Sequence, residues 1–147
     1  MKNRYSFRGK KVRDGEWVVG NLLYPDSINE FFVIPVRHPY IDPYMFIVKP
    51  QTIGQCTGLK DMHGNLIFEG DILKLHGEGA KKFSEVHRIF WFKDRWALRA
   101  YKAGDSVRRV SWVIDKGKNT EIIGNIHDNP ELLEGKPCET QTGTEVL

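Results

Sequence analysis

Short apolar runs bounded by turn-forming residues recur along the first third of the chain. Residues 16–23 and 30–34 are rich in the β-branched and aromatic side chains that strands favour, so we predict a strand at each. Asp14-Gly15, just before the first run, predicts a hairpin turn, because glycine accepts the positive φ that such turns need. The opening pattern is therefore that of short strands joined by tight turns.

Five prolines between residues 25 and 50 change this pattern. Proline lacks a backbone donor and biases its predecessor toward extended geometry, so a long helix does not fit here. We predict an extended connection over residues 35–50, with an edge strand at 45–48.

Beyond residue 51, strands and turns dominate again. Tight turns are predicted at 61–65 and 68–71, where Gly, Asp and Asn cluster. Five more strands, the middle three forming a meander, are predicted at residues 72–75, 85–92, 96–101, 107–114 and 120–125. A single short helix follows, with Asn129 as its cap, Pro130 at its first position and Gly135 at its end.

These elements predict a mainly β protein, built as a small barrel or sandwich. We expect an N-terminal β-rich subdomain over residues 1–50 and a second subdomain over residues 51–134. The tail, 135–147, has no periodicity and is expected to be mobile.

Composition narrows the class of protein. Of the 147 residues, 40% are hydrophobic and 28% are charged, which excludes disordered, collagen-like and coiled-coil classes. No apolar run approaches the roughly 18 residues of a membrane span, and no apolar signal segment is visible. Two cysteines are too few for a disulfide framework and fit a reducing compartment. We expect a cytoplasmic protein with no membrane partner.

Charge is unevenly distributed along the second half. Residues 81–120 hold eleven Lys and Arg against four Asp and Glu, whereas residues 121–147 hold one against six. The basic block has the charge to follow a phosphate backbone. The alternative is a solvated strand face that is balanced by the acidic tail.

Motifs for catalysis or cofactor binding are absent from the sequence. There is no Walker loop, no dinucleotide-binding glycine motif, no nucleophile elbow and no zinc-protease motif. Cys56 and Cys138 lack paired cysteines, and the histidines lack ligand spacing. Nothing near Cys56 would depress its pKa, so it is interpreted as a buried small side chain. We expect no cofactor, no metal, no catalytic residue and no enzymatic activity.

One acidic cluster leaves an alternative open. Asp61, Glu69 and Asp71 supply three oxygen donors that could hold Mg²⁺, as in a metal-dependent nuclease. Asp61 and Asp71 also occupy turn positions, where a carboxylate bonds nearby backbone amides. We favour the turn interpretation.

The meander is the stronger candidate for binding, because it interleaves cations with aromatic residues. Single-strand-binding proteins combine a cationic groove with aromatic platforms on which bases stack. Strand alternation puts most of these aromatics in the core, and an exposed Trp96 or Tyr101 would stack on bases. The candidate nucleic-acid-binding residues are Arg88, Lys93, Arg95, Arg99, Tyr101 and Arg109.

Three sequence blocks resemble the YopX-like family of bacteriophage and prophage proteins. The first is Phe7-Arg8 followed by the WVVGNL segment at 17–22, and the second is PQTIGQCTGLKD at 50–61 continuing through IFEGDI at 67–72. The third is IIGNIHDNPELL at 122–133. Family members commonly have an aromatic residue where this chain has Cys56.

The resemblance implies a mainly β protein whose C-terminal part is similar to SH3-type barrels. It supplies no catalytic or binding residues. We therefore expect a phage- or prophage-type binding module whose partner is nucleic acid or a phage or host protein. The alternative is a protein-interaction or assembly component, and a metal-dependent nuclease is less favoured.

Overall fold

The protein is built from two five-stranded antiparallel sheets. The computed structural model describes residues 4–37, 42–76, 86–100, 107–109 and 119–133, with the backbone alone for residues 100 and 107–109. In these ranges all helical structure is short 3₁₀ turns, and no helix is long and apolar enough to cross a membrane. The predicted mainly β fold class is confirmed.

The chain divides into two compact units, each containing one sheet. The first unit comprises Met1–Leu59 and Leu66–Glu69, and the second comprises Lys60–Asn65 and Gly70–Leu147. The subdomains predicted at residues 1–50 and 51–134 stay a prediction. The predicted tail, 135–147, lies outside the described residues.

The first sheet has the strand order β3-β2-β1-β4-β5. Its strands are β1 (Phe7–Lys10), β2 (Trp17–Leu23), β3 (Phe32–Ile34), β4 (Gly54–Lys60) and β5 (Leu66–Phe68). Val18, Val33 and Val48 form its buried centre, against which Leu22 and Ile53 pack. Strands β2 and β3 confirm two predicted elements.

The predicted hairpin turn before β2 is present. The amide of Lys11 donates to the carbonyl of Glu16 at 2.9 Å, and Gly15 has a φ of 74°. The Asp14 carboxylate accepts a hydrogen bond from the Glu16 amide at 3.0 Å, as a turn aspartate does.

The second sheet has the strand order β10-β6-β7-β8-β9. Its strands are β6 (Asp71–Leu75), β7 (Val86–Phe92), β8 (Arg95–Ala100), β9 (Val107–Arg109) and β10 (Thr120–Asn125). Ile72, Leu73, Ile89 and Leu98 are fully buried in its core. Within the described strands no pairing joins β9 to β10, so this sheet does not close into a barrel there.

Two predicted elements differ from the structure. Over the predicted edge strand at 45–48, Met45 and Phe46 lie instead in a 3₁₀ turn at Pro43–Phe46, which the Asp42 side chain caps by accepting from the Tyr44 amide. Ile47 and Val48 do pair, each through an isolated β-bridge, to Phe32 and Lys11. The predicted helix after Asn129 is a 3₁₀ turn at Pro130–Leu132. The Asn129 side chain accepts from the Asn125 amide at 3.3 Å and does not cap that turn.

Gly20 marks the closest backbone approach in the first sheet. A Cβ atom at this position would collide with the carbonyl oxygen of Ile34 on the neighbouring strand. Because the obstacle is backbone, it cannot be relieved by rotating a side chain.

Replacing Gly20 with alanine should destabilise the protein by about 1–3 kcal/mol, the cost of overpacking a filled site. Urea unfolding of the Gly20→Ala variant measures this loss. Val19→Ala, at a neighbouring side chain that is 46% exposed, is the control and should have a smaller effect. Equal stability of Gly20→Ala and the unaltered protein would contradict the close approach.

Candidate nucleic-acid interface

The β7–β8 hairpin holds four of the six residues predicted to bind nucleic acid. Arg88 on β7 is the direct partner of Arg99 on β8, and Phe92 is the partner of Arg95. Lys93 lies in the connecting turn and has a φ of 57°. Because side chains alternate along a strand, Arg88, Phe90, Phe92 and Arg99 lie on one face of this hairpin.

Two guanidinium groups share one aromatic ring on this face. The Cζ atoms of Arg88 and Arg99 lie 6.0 Å and 5.3 Å from the centroid of Phe90. The Nζ atom of Lys93 lies 5.4 Å from the centroid of Phe92. The two phenyl rings meet edge to face, with 5.9 Å between their centroids. Three cations and two rings thus form one cluster, which we call the basic cluster.

Arg95, at the start of β8, forms an ion pair with its neighbour Asp94. Its Nε and Nη2 atoms donate to the two carboxylate oxygens of Asp94 at 2.7 Å and 2.8 Å. Such a two-point contact holds the guanidinium within the turn. Arg95 therefore adds less to the positive potential of the hairpin than its formal charge suggests.

The remaining two candidates, Arg109 and Tyr101, follow the hairpin in the sequence. The backbone of Arg109 in β9 pairs with Ala97 of β8, next to the basic cluster. Tyr101 lies outside the described residues, so its proposed stacking role stays a prediction.

The tryptophans lie on the other face of the hairpin. Trp91 and Trp96 are direct partners in the register, one residue out of phase with Phe90 and Phe92. Their rings meet edge to face at 4.9 Å. Trp91 is 48% exposed, and its indole nitrogen donates to the carbonyl of Lys93 at 3.1 Å. Of the two tryptophans on this hairpin, Trp91 is therefore the exposed one. Its position at the end of the hairpin is the sequence feature that could have indicated this exposure.

Asp61, in the acidic cluster, serves the turn in which it lies. One carboxylate oxygen accepts from the amides of His63 and Asn65 at 3.0 Å and 2.8 Å. The other accepts from the amide of Ile122 on β10 at 3.3 Å and from the Asn65 side chain. Burial raises the pKa of this carboxyl, but the hydrogen bonds outweigh burial and hold the pKa below its usual range.

The three carboxylates of the acidic cluster are divided between different parts of the fold. Glu69 belongs to the first unit and Asp71 to the second. Within the described ranges, no group of three or more His, Cys, Asp or Glu side chains could hold a metal ion. Cys56 is buried, and its sulfur lies 3.5 Å from the Gly58 amide.

The Asp61→Asn variant should be less stable at pH 7 by about 1–3 kcal/mol, because an amide cannot satisfy the donors that point at both oxygens. Since the folded pKa of Asp61 is depressed, its contribution is present above the unfolded value near pH 3.9 and disappears as the pH falls further. Urea unfolding at pH 7, 5 and 3 measures the difference between the two proteins.

The expected difference is constant from pH 7 to 5 and narrows toward pH 3. Asp26→Asn changes an exposed carboxylate in the same way and serves as the control. A difference that persists undiminished at pH 3 would show that the Asp61 charge is not what holds the turn.

Comparisons with known proteins identify a similar structure and a family. The crystal structure of protein EF1440 from Enterococcus faecalis is similar, with 28% sequence identity and a TM-score of 0.52. The match covers 87% of this chain and 96% of that chain. None of the curated proteins compared with the chain matches it. The profile of the family described as YopX protein matches residues 6–134. Because this match spans most of its length, the chain belongs to the YopX protein family.

Proposed function

We propose that this protein is a non-catalytic module of a phage or prophage that binds nucleic acid through the basic cluster. The observation that carries the proposal is the pair of guanidinium groups, Arg88 and Arg99, on the two sides of one strand pairing and over one ring. A phosphate group between the two guanidinium groups would contact both of them.

The surroundings of the two guanidinium groups favour an anionic ligand. The negative face of Phe90 attracts both cations and keeps them close to the sheet. Lys93 adds a third positive charge at the hairpin end. Strand pairing places the two arginines opposite each other, and their shared contact with Phe90 restricts the guanidinium groups, which reduces the ordering cost when a ligand binds.

The same geometry favours phosphate contacts over base stacking. Cations lie over Phe90 and Phe92, and the tryptophans point to the other face of the hairpin. Phosphate contacts orient a protein on nucleic acid without reading its sequence. We therefore expect weak sequence preference, with affinity that depends strongly on salt.

The proposal also includes an SH3-type barrel for the second sheet and a cytoplasmic location. In the second sheet the last strand, β10, returns beside the first, β6, which is the strand order of an SH3-type barrel. We assign the module to the cytoplasm on its cysteine content. The hydrogen bonds of Asp61 support a non-catalytic role, because they commit the central carboxylate of the acidic cluster to the backbone.

Replacing Lys93 with asparagine and Arg99 with serine should weaken the binding of labelled oligonucleotides at low salt. Asparagine tolerates the positive φ of residue 93, and Arg99 is exposed, so the fold should be kept. Two lost phosphate contacts should lower the slope of log affinity against log salt by about 1.4 for single strands. Fluorescence anisotropy with single- and double-stranded DNA and RNA measures both quantities.

The matched control is Arg13→Ser with Arg37→Ser, which removes two exposed positive charges from the first unit. This control should leave the slope near that of the unaltered protein. Equal slopes for the two double variants would place any binding elsewhere. Absence of binding by the unaltered protein at tens of micromolar would favour the protein-interaction or assembly function instead.

A further inference from the structure

The outer edge of β10 is covered by the turn at residues 61–65. Among the described strands, β10 lies at the end of the sheet and pairs with β6. On its other side, the carbonyl of Thr120 accepts from the amide of Met62 at 2.8 Å. The amide of Ile122 donates to the Asp61 carboxylate. The turn therefore occupies positions that another strand would use.

A cluster of titratable side chains lies between these two backbone contacts. The carboxylate of Glu121 on β10 accepts from Nε2 of His76 at 2.7 Å, and its other oxygen lies 3.5 Å from Nε2 of His63. His63 belongs to the turn, and His76 directly follows β6, where its amide donates to Asn119. One carboxylate thus links three separate segments of the second unit.

Two other charged groups lie near Glu121. Lys74 is the direct partner of Glu121 across β6 and β10. Asp61, in the turn, uses its carboxylate for backbone amides, which hold its pKa below the usual range. The His76 hydrogen bond is also the main reason that the pKa of Glu121 is lowered. Two imidazoles thus face one carboxylate, and imidazole is the side-chain group whose charge generally changes near neutral pH.

We propose that the turn at 61–65 is a pH-responsive latch, that is, a segment that covers the edge of β10 more tightly at some pH values than at others. The contact made by Asp61 keeps its strength over this pH range, whereas the contacts within the His63–Glu121–His76 cluster change in strength. In mildly acidic solution, protonated imidazoles face an ionised carboxylate, and the latch is tight. At alkaline pH the imidazoles are neutral, and only hydrogen bonding remains. In more strongly acidic solution, protonation of Glu121 removes the carboxylate charge.

Opening of the latch would expose the backbone groups of β10. An unpaired strand edge is a template for pairing with another strand. The acid-tightened latch would therefore make this edge more accessible as the pH rises from about 5.5 to 8. This effect is independent of the basic cluster, because it involves other residues of the unit.

Hydrogen exchange of two amides tests the proposal on the full chain. Met62 N–H and Ile122 N–H report on the latch, and protection factors correct for the intrinsic pH dependence of exchange. We expect protection of both amides to be about two- to fivefold higher at pH 5.5 than at pH 8, the range given by exposed ion pairs. In Glu121→Gln, which removes the carboxylate charge, this ratio should fall to that of a reference amide.

The reference amide is that of Gly70, which donates to Ile89 within the same unit. Its protection also shows that the variant is folded. Glu30→Gln makes the same change at an exposed site in the first unit and should keep the full ratio. His63→Gln, which alters only the turn's own ring, should lower the ratio in part.

Two results would overturn the latch. One is an equal pH ratio for Met62 in the unaltered protein and in Glu121→Gln. The other is a ratio for Met62 and Ile122 that matches the Gly70 reference in the unaltered protein.

Discussion

The carboxylate of Asp61 is the interaction on which the edge of the second unit depends. Its two oxygens accept backbone amides from the turn itself and from β10. A mainly β protein must satisfy the backbone groups at the edges of its sheets. Here a charged side chain supplies an acceptor that a strand partner would otherwise provide. Because these hydrogen bonds favour the ionised carboxylate, they also account for the lowered pKa of Asp61.

Local chemistry made much of the fold predictable from the sequence. The turns at 11–16 and 61–65 follow from aspartate and glycine side chains that act within a few residues. The meander follows from alternating apolar positions, and β10 has the predicted bounds, 120–125. The partners of β4 and β5 could not be predicted, because strand pairing depends on contacts between residues far apart in the chain.

The sequence predicted which residues belong to the candidate site better than it predicted how those residues are arranged. Basic residues and aromatics in one meander are visible in the sequence, and four of the six candidates lie on the β7–β8 hairpin. The pairing of Arg95 with Asp94 is a local contact that formal charge counting overlooks. The separation of phenylalanines from tryptophans follows from strand alternation, but which face bears the arginines required the register. The site therefore carries charge on one face and exposed indole on the other.

The two units are interleaved along the chain, which limits how they can evolve. The chain passes from the first unit to the second at residue 60, returns at 66 and leaves again at 70. A fragment that begins at Gly70 would contain all five strands of its sheet and would lack the turn that bonds to β10. A fragment that begins at residue 51 would retain that turn and carry β4 without its partner β1. A single crossover in the gene can therefore not replace one complete unit by that of a related protein. We expect recombination to exchange the two units together.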